Sequence, residues 1–378
     1  MNTTPSTTTQ VTRHNKVRTW PSIAARIARL ADQPLVTAMV RTSAIEDTLT
    51  ALHPLLSLGQ VRARVKRIMD ETPDTKTFVL RPNAHWQGAL SGQFVRVQVE
   101  MDGRRVERVY SLSSPAGAKR ITITVRRQEG GQVSTHLHRR VRVGDVLTLT
   151  QAAGEFVLPA VLPAQMLLLS AGSGITPVMS MLRELHASGY QGDVLFVHMC
   201  RSAQYLIFGA ELQQLQATWP ALRLVTHFTT EQGRLDTTAL QALVPDLAQR
   251  ATWMCGPCVW MDSIHALWSG AGFSAPLHSE RFASAPRITA EAGAPVAVLC
   301  TSTGKTFTTS GPDALLVQAE RAGLAPKHGC RMGICASCQC TKTSGTVQNL
   351  VTGDISSAPN ETIRLCISAA RSDLTLAL

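Results

Sequence analysis

The chain is poor in aromatic residues: tryptophan, tyrosine and phenylalanine together make up 5% of its 378 positions, and tyrosine occurs three times. A stacking platform for nucleic-acid bases needs aromatic faces interleaved with cations. With no nucleic-acid motif either, that class of partner is set aside. Also missing is any uninterrupted apolar run of about 18 residues, the length that crosses a bilayer as a helix. The richest stretch, residues 156–171, is broken by Pro159, Pro163 and Gln165 and reads as a strand end, a turn and a buried strand. The start of the chain is polar and rich in Ser and Thr, so no secretory leader is expected. Nor do nine cysteines in a chain of this length resemble a disulfide framework. A cytoplasmic, reducing setting is expected, with peripheral attachment at the inner face of the membrane as a variant of it. Acidic residues are outnumbered 26 to 37, a net charge of +11. Ordinary surface lysine and arginine account for that. The sharper reading is attraction to anionic partners such as NADP phosphates, acyl-CoA or a negative membrane surface.

What the chain does have is cysteine in a pattern. Cys330-Arg-Met-Gly-Ile-Cys335-Ala-Ser-Cys338 is followed at a distance by Cys366. Cys-x4-Cys-x2-Cys with a remote fourth Cys is the spacing of plant-type [2Fe–2S] centres. Two sulfide-bridged irons need four terminal ligands, and soft thiolates suit iron. Gly329 and Gly333 let a tight loop bend, and small Ala336 and Ser337 let backbone N–H groups approach the sulfurs. Structural zinc sites more often show two short Cys-x2-Cys pairs. Cys366 reads as part of a short strand closing the site, and Cys340 as a packing residue or spare thiol.

Length alone favours two or three domains. Residues 1–58 form an N-terminal extension: 1–18 read as disordered and 21–56 as helical, with Ile23, Ile27 and Leu30 on one stripe. Arg26, Arg29 and Arg41 make this segment either a helix packed on the next domain or an amphipathic membrane- or partner-binding helix. From 59 to 160 the pattern is β, with alternation in Val61–Ile68, Phe94–Val99 and Ile121–Val125 and turns at Asp102-Gly103 and Gly130-Gly131, which argues for an antiparallel barrel. From 161 to 283 strands near Met166, Asp193, Leu222 and Thr252 alternate with helices near 176–188, 208–218, 237–249 and 259–271. That implies a doubly wound parallel α/β sheet. Residues 284–295 read as an Ala/Pro-rich linker, and 296–378 hold the cysteine pattern.

Two further motifs carry chemistry. Arg108-Val-Tyr110-Ser111 precedes Gly130-Gly131-Gln132-Val133-Ser134. A Tyr can stack on an isoalloxazine ring, a Ser hydroxyl can hydrogen-bond flavin N5, and an Arg suits phosphate. A helix starting near Ser134 would offer free N–H groups to a pyrophosphate. Later, Ser170-Ala-Gly172-Ser-Gly174-Ile-Thr176-Pro177 forms a Gly-rich turn between strand and helix, and Cys255-Gly256-Pro257 closes a later strand at the same edge. Cys255 is either a small thiol beside a nicotinamide or a buried structural cysteine. Cys255-x2-Cys258 as a redox pair or zinc site is rejected, having no second pair nearby. Arg201, after the second strand of this region, and Arg234 are placed to meet an adenosine 2′-phosphate, which favours NADPH over NADH.

These blocks, in this order, resemble the ferredoxin–NADP reductase superfamily, in its subgroup with a C-terminal plant-type ferredoxin domain. The likeness covers residues 59–378. It implies a FAD-binding antiparallel β-barrel, an NADP-binding α/β domain and an α+β ferredoxin-like β-grasp domain. It also implies FAD held by Arg108, Tyr110, Ser111 and Gly131 to Ser134, nicotinamide facing 172–177 and Cys255, and an ending, Glu280-Arg-Phe282, like the family's close of the nucleotide domain. Catalysis is expected at Ser111, Tyr110 and Cys255, and the metal at Cys330, Cys335, Cys338 and Cys366. Electrons are then expected to run from NADPH through FAD and the cluster to a protein acceptor. Leu52–Leu58 and Gln151–Pro159 look like bacterial reductases of membrane fatty-acyl desaturases, making an acyl-CoA desaturase the leading acceptor. The reductase of a ring-hydroxylating or other oxygenase is the alternative, and a redox-sensing binding protein the reading from another class. Residues 293–378 carry seven Lys/Arg against five Asp/Glu, unlike typically acidic free ferredoxins. A tethered domain gains effective concentration instead.

Overall fold

The computed structural model describes residues 42–101, 104–282, 295–309, 313–328, 333 and 337–378. Expectations for residues 1–41, including the Ile23–Leu30 stripe and its arginines, for Asp102-Gly103, for linker residues 284–294 and for Cys330 and Cys335 lie outside them. The described residues divide into two units, one ending at Gln60 and the other beginning at Val61.

In the first unit, helix α1 spans Thr42–Leu52, short of the expected end at 56. His53 precedes Pro54, whose ring disfavours helical backbone at the residue before it. The Glu46 carboxylate then accepts from Leu58 N–H at 2.9 Å, folding the exit back on the helix.

The second unit begins with β1 (Val61–Thr72), β2 (Thr75–Pro82), β3 (Phe94–Met101), β4 (Arg104–Ser111), β5 (Ile121–Arg126) and β6 (Val146–Leu149). They form one antiparallel sheet ordered β4-β3-β6-β1-β2-β5. A Leu112–Ile123 bridge joins the end of β4 to β5, closing the sheet into the expected barrel. Alternation decides what is inside: Val61, Ala63 and Val65 are buried with Phe78, Leu80, Val95, Val97 and Ile123, while Arg62 and Arg64 point outward. Helix α2 (Gln132–Arg139) seals the barrel with Val133 and Leu137.

Next come β7 (Gln165–Ala171), α3 (Ile175–Ala187), β8 (Asp193–Cys200), α4 (Gly209–Thr218), β9 (Leu222–Phe228), α5 (Thr229–Gln232), α6 (Thr237–Leu243), β10 (Ala251–Cys255), α7 (Cys258–Ala271) and β11 (Leu277–Glu280). The strands are all parallel, ordered β11-β10-β7-β8-β9. Leu168 and Phe196 pack under α3 and α4 on one face, and Leu167 and Val197 under α6 and α7 on the other. The sheet is therefore doubly wound. The helix expected over 237–249 stops at Leu243, because Val244 precedes Pro245, and a short 3₁₀ turn follows at Leu247–Gln249.

At the far end of this sheet the buried Arg250 donates to Asp246 Oδ1 at 2.9 Å and to the Met166 carbonyl at 3.2 Å, and pairs with Asp193. Asp246→Ala leaves the guanidinium one partner short, and an uncompensated buried charge is costly. The expected loss is about 2 kcal/mol of unfolding free energy in urea. Arg250→Met should cost less, since both carboxylates reach water. Equal stability of Asp246→Ala and wild type would remove this role.

The third part holds β12 (Val296–Cys300), β13 (Lys305–Thr309), α8 (Leu315–Arg321), β14 (Gln339–Ser344), β15 (Val347–Asn349), β16 (Ile355–Ser356), β17 (Glu361–Arg364), β18 (Ser368–Ala370) and β19 (Leu374–Leu376). The larger sheet is mixed, β13-β12-β19-β14-β17, with β12 parallel to β19. Leu315, Leu316 and Ala319 of α8 pack on Val298, Leu374 and Leu376, which is the expected β-grasp. Cys366 sits on a 3₁₀ turn, Leu365–Ile367, between β17 and β18 rather than on a strand.

Candidate active site and cluster site

The nucleotide sheet has one topological switch point. β7 continues to β8 on one side and borders β10 on the other, and ligands bind in such a crevice at the C-terminal strand ends. The Gly172–Gly174 turn leaves β7 there. Gly172 has φ +55, and a Cβ on Gly174 would lie 2.2 Å from the Cys255 carbonyl oxygen. Only glycine lets this turn rest on the end of β10. The same turn, with Gly256 and Pro257, forms one wall of a cavity of about 820 Å³.

The barrel supplies the other wall. Arg108, Tyr110 and Ser111 on β4 and Gly131, Gln132, Val133 and Ser134 at the start of α2 all line the cavity, as do Gly172, Gly174 and Thr176 opposite. The intrahelical ladder of α2 begins with Thr135 N–H to the Gly131 carbonyl at 3.1 Å, so the amides of the first turn, at residues that line the cavity, are not used within the helix. The Ser134 hydroxyl is used internally: it accepts from Gln128 N–H at 3.1 Å and pins the turn. Tyr110 is largely buried and its phenol is pushed well up, chiefly by burial.

Cys255 is fully buried and lies behind the cavity wall rather than on it, while Cys258 is on the wall. Burial pushes the Cys255 thiol far up, with the Glu280 carboxyl adding to the shift. As a result this sulfur stays protonated. Glu280 is the residue that sequence reasoning missed as a functional group. It pairs in register with Cys255 at the end of β11, lines the cavity, and accepts from the Ser111 hydroxyl at 3.3 Å. Burial pushes its carboxyl up to about 8, against the pull of the Ser111 hydrogen bond. Its signal was its place, at the same strand edge as Cys255. Arg126, also on the wall, is anchored to Asp74 at 2.7 Å.

The two arginines expected at the 2′-phosphate separate. Arg201 stands at the end of β8 with its guanidinium 4.8 Å from the centre of the Tyr205 ring, and lines a smaller recess of about 80 Å³ with Arg126, Gly172 and Ser173. Arg234 is exposed between α5 and α6 and lines neither space.

In the third part, Cys338 and Cys366 are buried in one core. Gly333 N–H donates to the Cys366 sulfur at 3.2 Å, the type of bond that steadies a ligating thiolate. Gly333 has φ +80, and a Cβ there would meet the Ile367 side chain at 2.7 Å. Arg364 holds the Gly333 carbonyl. The soft donors and the glycine cradle fit a cluster. The large cavity, with helix-start amides on one wall and a Gly-rich turn on the other, fits a dinucleotide facing a flavin. Cys340 packs in the same core, where burial pushes its thiol up to about 11.

A barrel for a flavin, a doubly wound sheet for a nicotinamide nucleotide and a four-cysteine domain define an oxidoreductase that relays electrons. Three family models match in that order: an oxidoreductase FAD-binding domain over 62–158, an oxidoreductase NAD-binding domain over 168–266 and a 2Fe-2S iron-sulfur cluster binding domain over 300–371. The chain is 40% identical over 338 residues to an NADPH oxidoreductase of Mycobacterium tuberculosis, covering 88% of each. It is 31% identical over 353 residues to the glycine betaine monooxygenase reductase subunit of Pseudomonas aeruginosa, covering 84% of this chain and 95% of that one. Phthalate dioxygenase reductase shares the fold, with a TM-score of 0.60 at 24% identity over 85% of this chain and 98% of that one. The chain belongs to the ferredoxin–NADP reductase superfamily, in the group with a C-terminal [2Fe–2S] domain. It is an NAD(P)H-dependent flavin and iron–sulfur oxidoreductase that passes electrons to a partner redox protein. Among the described residues no helix is long and apolar enough to cross a membrane.

Proposed function

We propose that this chain is the reductase component of a two-part oxygenase, taking electrons from NADPH in preference to NADH and delivering them singly from its C-terminal domain. The observation that carries the reading is the single cavity in which the Arg108–Ser111 wall faces the Gly172–Gly174 and Gly256–Pro257 wall. When bound, FAD converts a two-electron hydride into single electrons, and the cluster carries one at a time.

The residues do the positioning. Arg108 and the α2 amides hold phosphate, Tyr110 gives a face for stacking, and Gly172 and Gly174 let a nucleotide backbone lie close to the strand end. Ser111 and Glu280 hold a proton between them at the Oγ–Oε2 contact. Buried Cys255 backs the Gly174 turn from behind the wall. The support for an oxygenase partner is the reductase subunit of a monooxygenase among the relatives, with the reductase component of 3-ketosteroid-9-alpha-monooxygenase beside it. The desaturase reading has narrower support, the likeness of Leu52–Leu58 and Gln151–Pro159 to desaturase reductases, and it stands second.

Arg201→Ala should raise the KM for NADPH about tenfold and leave that for NADH unchanged, as expected for loss of a charge-assisted phosphate contact. Arg234→Ala should change neither as much. Equal effects on both nucleotides would remove the 2′-phosphate role. The acceptor is tested by NADPH oxidation with the purified holoprotein and either a soluble oxygenase component with its substrate or desaturase membranes with stearoyl-CoA. Substrate-stimulated oxidation with hydroxylated product supports the oxygenase. Stimulation by stearoyl-CoA alone, with oleoyl product, replaces it with the desaturase. Slow reduction of cytochrome c in every mixture would favour a redox sensor.

A further inference from the structure

The cluster loop and the flavin barrel meet at a specific side-chain pair. Arg96, on β3, donates through Nη1 to the hydroxyl of Ser337, which immediately precedes the cluster ligand Cys338. These two residues are 241 positions apart, so the contact joins the barrel to the β-grasp domain. Arg96 does not stand alone. Its Nε lies 3.7 Å from Glu107 Oε2, and Gln98 donates to the other Glu107 oxygen. Glu107 is thereby held from one side and orients the guanidinium from the other, leaving Nη1 directed at the loop. Both side chains are about a quarter exposed, at 27% and 22%, so the pair is shielded without being sealed.

The register places this pair next to the flavin wall. On the β3–β4 ladder Gln98 faces Glu107, Arg96 faces Val109, Val95 faces Tyr110 and Phe94 faces Ser111. The docking arginine is therefore one rung from the tyrosine that lines the cavity. Side chains alternate across a sheet: Val95, Val97 and Val99 are buried in the barrel core, while Arg96 and Gln98 between them face outward. Ser337, next to Cys338, thus meets the outer side of the same two strands whose ends form the flavin wall.

We infer that Arg96 is a positioning residue for electron exit: braced by Glu107, it docks the cluster loop at Ser337 against the β3–β4 wall. The inference rests on the reading of residues 108–111 as the flavin wall. Electron tunnelling falls steeply with distance, so a docked loop passes electrons and a displaced one does not. Each transfer oxidises the flavin by one electron and reduces the cluster by one, with no bond made or broken. The tether between the domains supplies a high effective concentration, and the Arg96–Ser337 bond selects one orientation from those the tether allows. This accounts for a cluster domain that lacks the acidic surface of free ferredoxins: a placed arginine and hydroxyl replace long-range steering.

The test is Arg96→Ala in the full-length holoprotein, with FAD and iron content measured first. Two rates are then followed anaerobically after mixing with NADPH: flavin reduction, and cluster reduction by electron paramagnetic resonance. Flavin reduction should be unchanged and cluster reduction slower by about tenfold, equal to about 1.4 kcal/mol. Arg96→Lys, which keeps the charge without the fork, should recover part of the rate, and Glu107→Gln should slow cluster reduction less than Arg96→Ala. Hydrogen exchange without NADPH gives an independent readout. Arg96→Ala should lose protection in β3–β4 and in residues 337–344 together, which loss of a purely local barrel contact would not produce. Because this arm needs neither nucleotide nor acceptor, it separates a failure of docking from a failure of the reductase reading. Cluster reduction within about twofold of wild type, or exchange changes confined to the barrel, would overturn the inference. If the alanine variant binds FAD poorly, Arg96→Lys carries the same two readouts.

Discussion

Cys366→Ser is expected to abolish the visible absorption of the cluster and to cut cytochrome c reduction by about a hundredfold or more, while ferricyanide, which can draw electrons from the flavin, is still reduced. The argument begins with softness: a serine oxygen is a harder ligand than a thiolate and binds iron–sulfur centres poorly. It continues with place. Cys366 is 1% exposed, on a turn whose neighbours Leu365 and Ile367 are core residues, and its sulfur already accepts from Gly333 N–H. Cys340, in the same core, lies on β14 with its sulfur 3.7 Å from the Thr341 carbonyl. Since bound metal contributes to folding free energy, the C-terminal domain should also become more sensitive to proteolysis. The nucleotide and flavin domains, with separate cores, should keep NADPH oxidation by ferricyanide near the wild-type rate. Survival of the cluster bands would mean that Cys366 is not a ligand.

Ser111→Ala is the second large effect. With FAD still bound, flavin reduction by NADPH should slow by on the order of a hundredfold, the usual scale for losing a positioned proton-handling group. Fast reduction in this variant would remove the role. Its partner Glu280 makes the behaviour dependent on pH. Burial raises the folded carboxyl from its ordinary 4.5 to about 8. Between those values the folded chain keeps a proton that the unfolded chain has lost. Stability therefore falls as pH rises through that window and levels off above about 8. Glu280→Gln is neutral throughout. It should remove the slope, matching wild type near pH 4 and exceeding it by a few kcal/mol at alkaline pH, at about 1.4 kcal/mol for each pH unit of the window. A wild-type stability curve that rises between neutral and alkaline pH would contradict the raised carboxyl. In wild type, flavin reduction should change with an apparent pKa near 8, and in Glu280→Gln that inflection should be lost.

Much of this architecture could be read from local pattern, because local pattern is what makes it. Alternation in Val61–Ile68 and Phe94–Val99 is the barrel, since period-two burial needs no distant information. Unbroken apolar runs such as Met166-Leu-Leu-Leu specify a sheet covered on both faces. Gly174 was legible because a turn pressed against a strand end excludes any Cβ, Gly172 because its backbone is left-handed at φ +55, and Gly131 because a Cβ there would crowd Gln128 and Ser134. The failures share a cause as well. The early ends of α1 and α6 follow from Pro54 and Pro245, which disfavour helical backbone at the residue before them. Cys366 in a 3₁₀ turn looked like a strand because Ile-Arg-Leu-Cys-Ile alternates. Glu280 gains its role only from register beside Cys255, and Cys255 loses cavity exposure because the Gly174 turn covers it. Lys342 is fully buried, donating to the Gly345 and Ser356 carbonyls at 3.0 and 3.1 Å beside Glu361. In sequence it looks like an ordinary surface lysine. Arg96 and Ser337 could not be paired from sequence, because nothing local connects a barrel strand to a cluster loop.

The most direct test of the relay is anaerobic mixing of the holoprotein with excess NADPH, following flavin absorbance and freeze-quenched electron paramagnetic resonance in the same time course. The account predicts two ordered phases: loss of oxidised flavin first, then growth of the reduced-cluster signal at a slower rate that does not depend on NADPH concentration. A cluster signal that never grows while the flavin is fully reduced, or one that grows before the flavin changes, would contradict electron flow from nicotinamide through flavin to cluster.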